Sequence, residues 1–179
     1  MNHPLELFQF CPRCGCKDFH PATEKSKKCP SCGFEYFLNP SSSNVAIITD
    51  PDGRVLVARR AKEPARGTLD LPGGFCDLYE SIEEGLRREV REETGLEVQE
   101  AQYLFSLPNQ YPYSGFTVHT IDAFFLCKVC APVRITPMDD VGELFWLRPE
   151  EIDPSAFGLK SISQGIRCWL ETKKSQKKI

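Results

Sequence analysis

The chain has no apolar run approaching the ~20 residues that a membrane-spanning helix needs. Its start, Met1-Asn2-His3-Pro4-Leu5-Glu6, lacks the basic-then-apolar shape of a secretion signal, so a cytoplasmic location is the default expectation. A strong charge of either sign is also missing. The 22 basic and 25 acidic side chains leave a formal net charge of -3, which speaks against a dedicated nucleic-acid binder. Aliphatic residues are scarce over residues 1–40, so that segment cannot build an ordinary hydrophobic core. The nine cysteines are an odd set, and without a secretion signal they do not suggest a disulfide framework. What remains, 179 residues of which 41% are hydrophobic and 26% charged, suits one ordinary domain plus something small.

Four cysteines explain how the first segment could hold together. Cys11-Pro12-Arg13-Cys14-Gly15 is repeated as Cys29-Pro30-Ser31-Cys32-Gly33. Two thiolates two residues apart reach one metal from a tight turn, and the following glycine lets the backbone curl around it. Two such knuckles supply four sulfurs, which suits tetrahedral zinc and leaves no open position. Cys11, Cys14, Cys29 and Cys32 are therefore read as ligands of a structural zinc that replaces the missing core. Cys16 breaks the spacing. Cys127 and Cys130 repeat it, but without a glycine or a second pair, and read as small apolar residues at a strand end. The zinc ribbon is placed at residues 1–39, a second domain at 40–172 and a solvated basic tail at 173–179.

After a short polar linker, Asn39 to Asn44, the pattern changes. Val45-Ala46-Ile47-Ile48-Thr49 is β-branched and apolar, Asp50-Pro51-Asp52-Gly53 is turn chemistry, and Val55-Leu56-Val57-Ala58 reads as the returning strand. Beyond Leu71-Pro72-Gly73-Gly74-Phe75 lies one clear amphipathic helix, from about Ser81 to Thr94. Ser81 and Glu84 make a capping box, Ile82, Leu86 and Val90 form the buried stripe, and Gly95 sits where a C-terminal glycine cap belongs. Glu89, Glu92 and Glu93 share another face at i, i+3 and i+4. Three carboxylates placed this way repel one another unless divalent cations sit against them, and hard oxygen ligands suit magnesium or manganese.

From Gly74 the sequence runs through five residues to Glu80, then seven more to Arg88-Glu89-Val90-Arg91-Glu92-Glu93-Thr94-Gly95-Leu96. This resembles the Nudix box at every defined position. The resemblance implies an α/β class protein, an α/β/α sandwich with a mixed sheet, that hydrolyses a pyrophosphate bond in a nucleoside-diphosphate derivative. It implies that Glu89, Glu92 and Glu93, with the backbone carbonyl of Gly73, hold catalytic magnesium or manganese. Arg88 is expected to hold the carboxylates in place and Glu80 to steady the helix. Glu143, three residues before Trp146, matches a glutamate that faces the metals in many such proteins. Glu92, Glu93, Arg88 and Glu143 are thus the expected catalytic set, with the general base left open among the carboxylates.

A four-cysteine ribbon followed by a Nudix domain is similar to the NADH pyrophosphatase group. That group carries Ser-Gln-Pro-Trp-Pro-Phe-Pro-x-Ser after the box. This chain reads Ser106-Leu107-Pro108-Asn109-Gln110-Tyr111-Pro112-Tyr113-Ser114, so four positions match, Tyr111 replaces the aromatic, and the Gln, Trp and one Pro are lost. Phe75, Tyr111 and Ser114 are the expected substrate contacts, and NADH, NAD or ADP-ribose, cleaved to give AMP, the expected substrates. The group forms dimers, and a homodimer is the corresponding expectation. Two other function classes are a nucleic-acid-directed Nudix protein, using ribbon and tail to hold capped RNA, and a non-catalytic ligand sensor. A salt-dependent RNA affinity would favour the first, and the intact glutamates argue against the second.

Overall fold

The computed structural model describes residues 3–129, 135 and 141–176. The chain divides into two compact units, residues 1–40 and 41–179.

The first unit is a three-stranded antiparallel sheet, β1 (His20–Thr23), β2 (Ser26–Lys28) and β3 (Glu35–Phe37), joined to two tight turns that bear the cysteines. Its buried apolar cluster is small: Cys11, Phe19 and Cys29, with Cys16, Cys32 and Phe34 packed against it. A core of this size is too little to hold a separate unit of this length by burial alone.

The second unit places two three-stranded sheets between two helices. One sheet has the order β4 (Ser41–Ile48), β8 (Phe116–Val129), β7 (Val98–Tyr113), and is mixed: β4 runs parallel to β8, which runs antiparallel to β7. The other, β6 (Leu69–Asp70), β5 (Val55–Arg60) and β9 (Val141–Leu147), is antiparallel. β4 is apolar on both faces because each face has a helix. Val45 and Ile47 join Val55, Val57 and Phe124 in a core closed by Ile162, Ile166 and Trp169 of α2 (Lys160–Gln176). Ala46 and Ile48 join Leu56, Phe125, Leu86 and Val90, the last two from α1 (Ile82–Thr94). The result is the expected α/β/α sandwich.

Three local expectations need correction. The segment Val55–Ala58 does not return along Val45–Thr49. A single bridge, Thr49 to Val55, survives at the turn; β4 then pairs with β8, and β5 with β6 and β9. Both strands have full partners elsewhere, so the turn joins two sheets instead of making a hairpin. Ser41 to Asn44, read as linker, is strand: it pairs with Thr120 to Ala123, and parallel pairing satisfies its backbone whatever its side chains. Finally, α2 continues to Gln176, so Lys173 and Lys174 lie in its last turn, where they complement the helix dipole. Cys127 is buried, and burial pushes its thiol up to about 12, as a packing residue would show; Cys130 lies outside the described residues. No helix among the described residues is long and apolar enough to cross a membrane.

Gly165, in the middle of α2, costs helix propensity of ~1 kcal/mol, and its packing shows why it is there. A Cβ at this position would overlap the ring of Phe124, which stacks on Phe105 at 5.0 Å. Gly165→Ala is therefore expected to destabilise the protein by about 1–3 kcal/mol through overpacking, despite the better helix former. Thermal and denaturant unfolding will read this; an unchanged or raised melting temperature would mean that the ring is free to yield.

Candidate active site

Helix α1 forms as the sequence suggests. The Ser81 side chain accepts from the Glu84 backbone, the Glu84 carboxylate accepts from the Ser81 backbone, and Gly95 closes the helix with φ of 72°. Leu86 and Val90 are fully buried, each worth ~1.5–3 kcal/mol, and their burial fixes the rotation of the helix. Glu89, Glu92 and Glu93 then face a cavity of about 370 Å³, within the range of nucleotide-sized pockets.

Arg88 organises this face. Its guanidinium donates to both oxygens of Glu80 (2.8 and 3.0 Å), to Glu89 (2.8 Å), to Glu92 (3.1 Å) and to the carbonyl of Phe75 (3.0 Å). Hydrogen bonds from Arg88, and then from the Asp77 backbone, hold the Glu80 carboxyl below the usual carboxylate range. Burial pushes Glu89 up, against the pull of Arg88, with Glu92 and Asp77 adding like-charge repulsion. Glu93 accepts from the Gly73 backbone N–H at 2.9 Å.

Two glycines allow the loop to press against the helix. Gly73 has φ of 141°, and a Cβ there would collide with the Asn44 carbonyl. At Gly74 a Cβ would meet the Glu89 carboxylate at 2.7 Å. The Gly73 carbonyl accepts no hydrogen bond among the described residues, while its neighbours Pro72 and Gly74 accept from Ala46 and Asn44. The oxygens of the three glutamates are not gathered as in a filled site. Among the described residues only the cysteine set brings three or more ligand atoms of His, Cys, Asp or Glu within 4.8 Å of one another.

The structure brings Gly73, Phe75, Arg88, Glu89, Glu92, Glu93 and Tyr111 to one cavity. Phe75 and Tyr111 meet edge to face, centroids 5.7 Å apart. Two expected residues stand elsewhere. Glu143, on β9, does not itself line the cavity but pairs with Arg59, which does, in strand register and by an ion pair of 2.9 Å; a register shift between Arg59 and Arg60 falls beside it. Ser114 sits exposed in the β7–β8 turn, where it and Gly115 both have positive φ, as a tight two-residue hairpin requires.

The cavity also holds residues that the sequence did not single out for this site. Arg60 pairs with Asp70 at 2.5 Å, both side chains largely buried, and reaches the Tyr111 hydroxyl at 3.4 Å. Burial pushes the Asp70 carboxyl up, opposed by Arg60. Asn109, Thr120 and Asp122 complete the wall on β7 and β8. The one available sequence signal was Asp122 itself, a lone acid inside the apolar run Ile121 to Leu126.

In the first unit, the four cysteine sulfurs form a compact group, with Cys11 to Cys32 at 3.7 Å and Cys14 to Cys29 at 3.6 Å. The two knuckles are alike: Gly15 and Gly33 both have φ of 72°, and each backbone N–H returns to the first cysteine of its pair. Burial opposes ionisation of Cys29, but hydrogen bonds from the Cys32 backbone and from Cys14 overcome it and draw the thiol down to about 6. Cys16 is turned to the Ser31 hydroxyl instead. The donors fit a tetrahedral metal that takes thiolate. Purified protein is expected to carry about one tightly bound zinc per chain, and Cys29→Ser to release it and unfold residues 1–40 while the α1 region keeps its protection from hydrogen exchange. Absence of zinc from unstripped protein, by elemental analysis, would sink this assignment.

A family model described as the NUDIX domain matches residues 40–170. The human protein named NAD(P)H pyrophosphatase NUDT13, mitochondrial, is 41% identical over 114 residues, covering 63% of this chain and 32% of its own length. The protein of Deinococcus radiodurans named NAD-capped RNA hydrolase NudC is 32% identical over 117 residues, covering 64% of this chain and 41% of its own. This chain therefore spans about a third to two-fifths of the length of these curated relatives. A solved NUDIX hydrolase from Nitrosomonas europaea shares the fold, with a TM-score of 0.74 over 93% of both chains at 23% identity.

Proposed function

The chain belongs to the NUDIX family, and from that premise we propose that it is a metal-dependent pyrophosphohydrolase that cleaves ADP-containing diphosphates such as NADH, NAD or ADP-ribose to give AMP. The observation that carries this reading is the shared cavity: Glu89, Glu92 and Glu93 on one wall, the Phe75 and Tyr111 rings on another. A nucleoside diphosphate needs both, a charged end for its phosphates and a flat apolar contact for its rings.

Glu89, Glu92 and Glu93, with the carbonyl of Gly73, are the proposed holders of magnesium or manganese, and a bound divalent cation would supply the positive charge that a diphosphate demands. Arg88 keeps the carboxylates apart and oriented, and through the Phe75 carbonyl it also fixes the loop that carries the ring. Glu92 is half exposed, with one oxygen engaged by Arg88 and the other without a partner among the described residues, which leaves it able to take a proton from attacking water. Glu143 is engaged by Arg59 at the cavity edge, whereas Glu89, Glu92 and Glu93 line the cavity themselves, so proton transfer is assigned to the helix carboxylates.

Removal of a RNA cap is the second reading, favoured by the name of the Deinococcus radiodurans relative. It involves the same diphosphate in the same cavity and differs in needing affinity for the rest of the RNA, which salt would weaken.

Glu92→Gln and Glu93→Gln are expected to fold normally and lose roughly a hundredfold or more in kcat, the scale of losing charge stabilisation at a reacting group. Glu143→Gln should stay close to wild type. Near-normal turnover in Glu92→Gln, or collapse in Glu143→Gln, would reverse the assignment. In a substrate panel with magnesium or manganese, NADH and ADP-ribose should both be cleaved, with kcat/KM values within about a hundredfold of each other. Cleavage of nucleoside triphosphates with neither of these touched would reject the substrate class.

A further inference from the structure

Asn109, Thr120 and Asp122, on the strand side of the cavity, are not used by the reaction proposed above. Strand alternation turns Asn109 and Tyr111 of β7, and Thr120 and Asp122 of β8, toward the same cavity. The register sets Asn109 across from Thr120 and Leu107 across from Asp122.

Asp122 is 3% exposed and no basic side chain pairs with it among the described residues. Its partners are two hydroxyls, Thr120 and Ser161, each donating at 2.5 Å. A carboxylate has about four acceptor positions, so two remain. The nearby acid Asp70 already takes the Arg60 guanidinium, and the two carboxylates repel each other. A buried carboxylate without a cation is costly unless further donors reach it. The Asn109 amide stands beside this wall with no hydrogen bond of its own among the described residues. It offers both an acceptor and a donor.

Resting on the reading of this cavity as a nucleotide site, the geometry points to a base-reading wall: Asp122 and Asn109 select a planar ring that carries an amino group next to an acceptor. The ring lies against Phe75 and Tyr111. Its amino N–H groups donate to Asp122 and to the Asn109 carbonyl, and the Asn109 NH₂ donates to the ring's acceptor. Two parts of the proposed substrates have this chemistry, the amidine edge of adenine and the carboxamide of nicotinamide.

Isothermal titration calorimetry in EDTA, where no turnover occurs, separates them. Two pairs are compared: ADP-ribose with its hypoxanthine counterpart, and NAD with its nicotinic acid counterpart. Wild type is expected to bind the amino-bearing member of one pair at least about tenfold more tightly. The pair that shows the preference names the ring. Asp122→Asn and Asn109→Leu should each remove most of that ratio. A smaller ratio for both pairs in wild type overturns the proposal. So does an undiminished ratio in Asp122→Asn, the result expected if Asp122 only anchors α2 through Ser161 and both ligands weaken alike. Should Asp122→Asn fail to fold, Asn109→Leu decides alone, since it leaves Asp122 and α2 untouched. Failure of hydrolysis in the presence of metal would count against the proposed reaction and leave these binding ratios as they are.

Discussion

The Arg88 guanidinium is the contact on which the rest of the site depends. Glu89 and Glu92 stand one turn apart on α1, with Glu93 beside them. Charges at such spacing repel by about 3 kcal/mol at the effective dielectric of a protein surface. Arg88 sets one planar fork between Glu80, Glu89 and Glu92, and spends its remaining donor on the Phe75 carbonyl. One residue thus fixes the acidic face, the entry to the helix and the loop that presents the aromatic ring. A lysine has the charge but only three donors, all on one atom, and could not make the five hydrogen bonds that Arg88 makes to four residues.

What could be read in the sequence was what is local. Ser81, Glu84, Leu86, Val90 and Gly95 lie within fifteen residues, and each acts on a neighbour three or four positions away, so the helix and its acidic face follow from spacing alone. The cysteine knuckles are local in the same sense. The strands are different. Whether Val55 to Ala58 pairs with its predecessor or with β9 depends on a partner nearly ninety residues on, and nothing in the turn Asp50 to Gly53 specifies it. Glu143 was expected at the cavity because a strand glutamate near a tryptophan fits the family pattern; what that pattern does not name is Arg59 on the paired strand, which lies in register with Glu143 and takes its carboxylate at the cavity edge. Asn109 counted as a loss when matched against a loop motif, because a motif names what is missing and not what the new side chain faces.

The cavity's electrostatics give the substrate a direction. Its helix side carries glutamates that are half exposed or tied to one shared arginine, and its floor carries the buried Asp122 and the partly buried Asp70. An anionic diphosphate entering such a cavity meets like charge from both sides. In water that repulsion is weak; between low-dielectric walls it is several times larger. Arg59, Arg60, Lys62 and Arg88, which also line the cavity, offset part of that repulsion, and divalent cations held at the helix carboxylates would offset more of it. On the floor, Asp70 is paired with Arg60, and Asp122 is held by two hydroxyls with acceptor positions left for further donors. A ligand with phosphates at one end and an amino-bearing ring at the other fits this asymmetry in a single orientation, phosphates to α1 and ring edge to β7 and β8. The same asymmetry thereby places the diphosphate against the helix carboxylates before any chemistry begins.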